Sequence, residues 1–254
     1  MPNKKVLVTG LSGLIGGLLL EGSTDKYELS GLNRRPVEGV PCLQADIRDA
    51  AAIRPVFEGQ DVVVHLSAIA RAGIAWEEAL ETNLIGTYNV FEAARTAGVK
   101  RVIFASSGAA VTNWEREEPS KALVEGRYEE APSSWPMGTH ETPTRPAQFY
   151  GWSKVAGESL ARHYSDAYSM SMICLRLGRV SQENRPDSAR VRSVWCSHRD
   201  IVQLIEKSID APDSVMYDIF YGLSNNKWAY RDISHAREVL GYAPQDSADQ
   251  TSDG

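Results

Sequence analysis

Cysteine is scarce in this 254-residue chain: Cys42, Cys174 and Cys196 are the only three, far apart in sequence. An odd number without metal-ligand spacing excludes a disulfide scaffold and leaves free thiols as the default. The five histidines are equally scattered, none at ligand spacing from a cysteine or carboxylate, so no metal site is expected. A basic excess is also lacking, since 27 Lys and Arg face 33 Asp and Glu for a net charge of −6. That balance speaks against nucleic acid. The one basic cluster, Arg179, Arg185, Arg190 and Arg192, is too small to track a phosphate backbone. No stretch reaches the ~20 apolar residues of a membrane span. The opening MPNKKVLVTG shows neither the apolar run nor the cleavage site of a secretory leader. The expectation is a cytoplasmic protein that acts on a small molecule, with no membrane or nucleic-acid partner.

What is present is alternation. Strand-like runs at Lys5–Thr9, Glu28–Asn33, Pro41–Gln44, Asp61–Leu66, Lys100–Ser106 and Ser171–Leu177 are separated by helical patterns. Those patterns cover about Leu14–Glu21, Asp49–Phe57, Trp76–Ala97, Gln148–Tyr168 and Asp200–Ile209, the last preceded by Ser197 at capping-box spacing. Apolar strands alternating with helices predict an α/β fold, a Rossmann-type doubly wound parallel sheet with a small C-terminal substrate-binding region. The expected organisation is a dinucleotide-binding domain over 1–178 with an insertion or lid at 108–147. A substrate-binding region follows over 179–244, then a flexible polar tail over 245–254. The insertion carries Trp114, Tyr128, Trp135 and His140, which suit either a lid over a ring-shaped substrate or anchors for a long loop.

Two motifs carry chemistry. Gly10, Gly13 and Gly16, with Ser12, Leu14 and Ile15 between them, follow the first strand and open a helix. Such glycines let the backbone approach a pyrophosphate, which sits at the positive helix end. An NAD site usually ends its second strand in a carboxylate for the ribose hydroxyl; here Asn33 stands there, followed by Arg34 and Arg35. A guanidinium suits a 2′-phosphate, so NADP is favoured over NAD. Asp46 follows the third strand, where it could accept from an adenine amino group or cap a helix. The second motif is Tyr150-Gly151-Trp152-Ser153-Lys154, which sets Tyr150 and Lys154 one helical turn apart. A lysine ammonium beside the phenol, with an oxidised nicotinamide, should pull it down from its usual value near ~10 and make it a general base. Ser107, ending the fifth strand beside Ser106, is placed to bond the reacting oxygen.

Thr9–Gly16, Ala45-Asp46, Asn83, Ser106-Ser107 and Tyr150–Lys154 together resemble the extended short-chain dehydrogenases/reductases, the NAD-dependent epimerase/dehydratase family, over nearly the whole chain. Within that group His65–Ala68, Phe104–Ser107, Leu175–Gly178, Val194–Ser197 and Gly241–Ser247 are most similar to uronate dehydrogenases. Those enzymes oxidise the anomeric carbon of a hexuronate with NAD. The resemblance implies Ser107, Tyr150 and Lys154 as the catalytic triad. It implies Asn83 as holder of a water or backbone group in the proton relay. Asp46, Ile47, Leu66, Ser67, Ala68, Ser106 and Leu177 would lie along the cofactor. Ser107, Gly108, Arg179 and Arg190 would face the substrate, Arg190 on its carboxylate. A homodimer through the two long helices is a further family expectation. Three features depart from the pattern: Gly108-Ala109 replaces the Asn-His pair after the serine, Asn33 replaces the second-strand acid, and 111–146 is longer. The alternatives are a nucleotide-sugar 4-epimerase and a silent cofactor-binding regulator. The short C-terminal region and the intact Tyr-Lys pair weigh against them. A dehydratase is disfavoured because Gly-Ala-Ala-Val follows Ser107 where the Thr-Asp-Glu motif would stand.

Overall fold

The computed structural model describes residues 3–250. Its first strand, β1 (Lys4–Thr9), shows the logic of the sheet: Val6 and Val8 enter one apolar cluster and Leu7 the other, because side chains alternate across a strand. The same alternation recurs in β4 (Val62–His65), β5 (Arg101–Ser107) and β6 (Ser171–Leu177), so both faces of these central strands are buried. With β2 (Tyr27–Asn33), β3 (Cys42–Gln44) and β7 (Tyr217–Gly222) they make a seven-stranded parallel sheet in the order β3-β2-β1-β4-β5-β6-β7. The doubly wound sheet expected from the strand runs is the one observed. The strand order reverses between β1 and β4, where ligands of open α/β sheets lie.

Helix α1 (Leu14–Ser23) covers one face, and α2 (Ala50–Ile53) follows β3. The pattern over Trp76–Ala97 is broken into α3 (Trp76–Glu78), a π-helical stretch over Ala79–Ile85, and α4 (Gly86–Thr96). The π-helical stretch contains Asn83, and π-bulges of this kind gather at functional sites. Between β5 and β6 come α5 (Ser120–Glu125) and the long α6 (Phe149–Tyr168). Then α7 (Ala189–Val194), α8 (His198–Ile209) and α9 (Ser234–Leu240) complete the chain.

Three expectations change. Residues 179–244 do more than pack on the sheet domain: they extend the sheet, since β7 pairs with β6 along its length. The segment read as a flexible tail is docked as far as residue 250, and 251–254 lie outside the described residues. Asp200 explains the docking. Its carboxylate accepts from the backbone N–H of Gln245 (2.7 Å) and Asp246 (3.2 Å), and Ala248 is fully buried against Val191 and Trp195. The capping box is thus half made: Ser197 caps Asp200 N–H at 3.2 Å, while Asp200 itself serves the tail and Ser224.

The third concerns 108–147, which is structured and tied down. Trp135 Nε1 donates to the Ala229 carbonyl at 2.9 Å and its ring stacks on Trp228, as does Tyr128 at 4.2 Å. His140 stacks on His235, and Trp114 Nε1 donates to the Pro143 carbonyl. Tyr128, Trp135 and His140 thus anchor the insertion to the C-terminal region, and Trp114 fastens it to itself. Ala110 and Val111 pack against Tyr221 of β7, and Leu123 against Val194, Leu223 and Tyr230.

Candidate active site

A cleft of about 700 Å³ opens at the carboxyl ends of β1, β4, β5 and β6. Gly10, Gly13, Leu14, Ile15 and Gly16 form one wall, Leu66 and Ala68 another, and Ser106, Ser107, Tyr150, Lys154 and Leu177 its far side. The glycine turn is obligatory. Gly10 has φ +76°, and a Cβ at Gly16 would lie 2.6 Å from the Leu11 backbone, so any side chain would push α1 off β1. Backbone and helix N-terminus are therefore bare toward the cleft, which fits a dinucleotide pyrophosphate.

Beneath the turn a buried hydrogen-bond chain locks β1 to β4. Thr87 Oγ1 donates to the Asn83 carbonyl, so His65 Nε2–H must donate to Thr87, leaving Nδ1 to accept from Thr9 Oγ1 at 2.7 Å. Complete burial keeps this imidazole neutral, with its pKa pushed down to about 3. Thr9 Oγ1 in turn accepts from the Ser67 N–H, so Ser67 supports Gly10 from behind while Leu66 and Ala68 face the cleft.

The expected chemical residues converge. Strand alternation turns Ser107 to the cleft and Ser106 inward, where its hydroxyl donates to Glu158 at 2.6 Å. Gly151 makes the convergence possible: a Cβ there would lie 2.4 Å from the Ala109 carbonyl oxygen, so only glycine lets α6 press on the 3-10 helix (Gly108–Arg116) after Ser107. The Ser107 hydroxyl lowers the Tyr150 phenol, yet burial is stronger and leaves Tyr150 above its ordinary value of 10. The lowering expected from Lys154 is not seen; its ammonium sits over the ring, 5.7 Å from the centroid. Only 3% exposed, Lys154 is depressed by burial from 10.5 to about 8, and the charge of Glu158 one turn further along α6 opposes that fall.

Asn83 lies outside the cleft lining. Its amide accepts from the Ile69 N–H (2.8 Å) and donates to the Ile69 carbonyl and Ser153 Oγ, clamping the strand-β4 loop onto α6. Of the two roles implied for it, holding backbone is the one it performs here. Ser12, Asn33, Arg34, Asp46 and Ile47, expected along the cofactor, also stand away from the cleft lining. Ile47 is core, with Gly86 packed against it, and Asp46 is engaged by Arg48, which holds its carboxyl below the usual range. Asn33 accepts from Ser12 Oγ and donates to the Arg35 carbonyl, shaping the turn that leaves Arg34 exposed.

Substrate-side residues Gly108, Arg179 and Arg190 all line the cleft. Arg190, however, is spent on a protein carboxylate: its Nε and Nη2 bond Glu115 at 2.6 and 2.9 Å. Sequence reasoning missed Glu115, Arg231 and the buried Glu158–Arg176 pair. Only Glu158 left a signal, being four residues from Lys154 and so one turn along the same helix face.

A family model, NAD-dependent epimerase/dehydratase, matches residues 6–200. The chain belongs to that family. Among curated proteins, an NAD-dependent glucose-6-phosphate dehydrogenase of Haloferax volcanii is 35% identical, covering 99% of this chain and 97% of that protein. A uronate dehydrogenase of Pseudomonas putida is 33% identical over 98% of this chain and 86% of its own length. The crystal structure of uronate dehydrogenase from Agrobacterium tumefaciens superposes with a TM-score of 0.82 at 30% identity, covering 100% of this chain and 91% of that one. Family membership agrees with the bare glycine turn in making NAD(H) the ligand of the cleft. Among the described residues no group of His, Cys, Asp or Glu is arranged to hold a metal, and no helix is long and apolar enough to cross a membrane.

Proposed function

We propose that this chain is an NAD(P)-dependent dehydrogenase that oxidises a hydroxyl of a small sugar or sugar acid. The observation that carries the reading is the meeting of Ser107, Tyr150 and Lys154 in one cleft with the glycine turn. When bound, NAD supplies the hydride acceptor. Tyr150 as phenolate takes the hydroxyl proton while the carbon's hydrogen leaves with its electron pair, so the C–OH becomes C=O. Ser107 holds the reacting oxygen and lowers the phenol against the burial that raises it, and Lys154 stands over the Tyr150 ring. Asn83 and Ser153 keep α6 in register with the β4 loop. The epimerase alternative is weaker, because the curated relatives at 31–35% identity over 96–99% of this chain are named as dehydrogenases. The purified protein is expected to reduce NAD with at least one member of a panel of hexuronates, aldoses and aldose phosphates. Absence of turnover across that panel would overturn the reading.

The cofactor preference belongs to the same proposal. Asn33 carries no charge to repel a 2′-phosphate and Arg34 is exposed beside it, so NADP is accepted as well as NAD, and is favoured. Losing one charge-assisted hydrogen bond of about 1.5–3 kcal/mol corresponds to roughly 10–100-fold. Arg34→Ala should therefore lower kcat/KM for NADP at least tenfold and leave NAD within about twofold. Equal effects on both cofactors would remove Arg34 from the 2′-phosphate site.

Two further expectations find support. Trp76, Ile85, Tyr88, Phe149 and Tyr168 are exposed on the segments from α3 to α4 and on α6, an apolar display that suits a homodimer through these helices. The three free cysteines suit the reducing cytoplasm.

A further inference from the structure

We infer that Arg231, reaching the cleft over Gly108, binds an anionic group of the substrate, a carboxylate or a phosphate, in the place expected of Arg190. The inference deepens the dehydrogenase reading and rests on it. Glu115 is the reason Arg190 is displaced from that role. This buried carboxylate accepts both Arg190 bonds, the Tyr230 hydroxyl, and Nη2 of Arg231 at 3.0 Å. One negative charge is thus shared between two guanidinium groups, leaving the cluster with one positive charge to spare.

Arg231 is where that surplus is least satisfied. Its side chain is 3% exposed, and its Nε has no hydrogen-bond partner. A guanidinium carries five N–H donors, and a buried cation with donors unspent is costly unless a ligand completes it. Nη1 occupies the space beside Gly108: a Cβ at that position would lie 1.8 Å from it. A side chain at 108 and Arg231 in its present place are mutually exclusive. Glycine at 108, next to Ser107, is the condition for the guanidinium to stand on the cleft wall close to the reacting oxygen. Replacement of a polar residue by Gly108 therefore does not empty the substrate wall; it hands that wall to a cation contributed from beyond β7. Planar donor forks of this kind match carboxylate and phosphate oxygens.

The test compares each anionic sugar with its neutral parent in the intact protein: glucuronate against glucose, galacturonate against galactose, and glucose 6-phosphate against glucose. Wild type should show kcat/KM at least tenfold higher for the anion of one pair, and the pair that shows it tells carboxylate from phosphate. A ratio at or below one for every pair, with neutral sugars still oxidised, would overturn the inference while sparing the dehydrogenase reading. If no sugar is oxidised at all, the dehydrogenase reading fails, and the inference with it. Arg231→Gln should raise KM for the preferred anion at least tenfold and change kcat and the neutral sugar by less than threefold. Arg231→Lys should recover part of the loss. Gly108→Ala supplies an independent route, since its methyl displaces Nη1 without removing the charge, and should reproduce the same selective rise in KM. Loss spread equally over charged and neutral substrates in the folded variants would assign Arg231 to structure alone.

Discussion

Tyr150→Phe is expected to lower kcat for sugar oxidation by about 10³-fold, within the roughly 10²–10⁴ that a positioned general acid or base contributes. The substitution removes one oxygen from a ring that already lies against Lys154, so packing and dinucleotide binding should be almost unchanged. The physical basis is the competition at the phenol, where burial raises it and the Ser107 hydroxyl lowers it. Because burial prevails, the wild-type oxidation rate should climb with pH as the phenol gives up its proton. A phenylalanine ring has no proton to give, so in the variant that climb should vanish. Steady-state kinetics across pH, with dinucleotide affinity measured by fluorescence titration, check both parts. A variant that keeps more than a tenth of wild-type kcat would remove Tyr150 from the proposed chemistry.

The second large effect is on stability. Glu158→Ala should cost about 3–5 kcal/mol, the usual penalty for removing one partner of a buried ion pair. Glu158 Oε1 accepts from Ser106 Oγ at 2.6 Å and Arg176 Nε at 2.9 Å, and Oε2 from Arg176 Nη2 at 2.9 Å. Truncation leaves the Arg176 guanidinium buried with only Tyr221 Oη at 3.3 Å and the His140 carbonyl at 3.4 Å. At roughly 2–4 °C per kcal/mol for a chain of this size, Tm should fall by about 6–20 °C. A packing role alone would end there. Glu158 also holds Lys154 up against desolvation, so its loss should move the inflection that Lys154 sets in the pH profile, near 8, to lower pH. Glu158→Gln should restore part of the Tm and none of the pH shift. Calorimetry and pH profiles of both variants separate the two roles, and an unmoved profile would leave Glu158 as a structural residue.

The parts of the site legible in the sequence are those held by local geometry. Gly10, Gly13 and Gly16 sit in one turn, Tyr150 and Lys154 on one helical face, and Ser107 at the end of one strand. Each is a short-range pattern whose periodicity carries its meaning. Parts that depended on distant neighbours read differently. Arg190 looked free to meet a substrate carboxylate, but Glu115, 75 residues earlier, takes its fork. Trp135 and Tyr128 suited a lid as well as an anchor until Trp228, far along the chain, was seen beneath them. The polar end of the chain gave no sign that Asp200 would dock it. Strand β7 carries no clear alternation in Tyr-Asp-Ile-Phe-Tyr-Gly, because a strand at the sheet edge is buried only in part.

By itself the sequence determined the doubly wound sheet, the glycine turn and the Ser-Tyr-Lys set. Backbone sterics and the 2.0 and 3.6 residue periods act over a few residues and leave their mark in order along the chain. Only the tertiary structure decided which charges are spent on one another. Arg231, Glu115 and Arg176 are indistinguishable from surface charges when read in sequence, and nothing there shows what Arg190 and Glu158 pair with. Their pairing is set by burial, which raises the cost of any unmatched charge and so sorts ions by what the fold places within reach. The substrate wall follows from that sorting, and it is why Gly108 and Arg231, 123 residues apart, act as one feature.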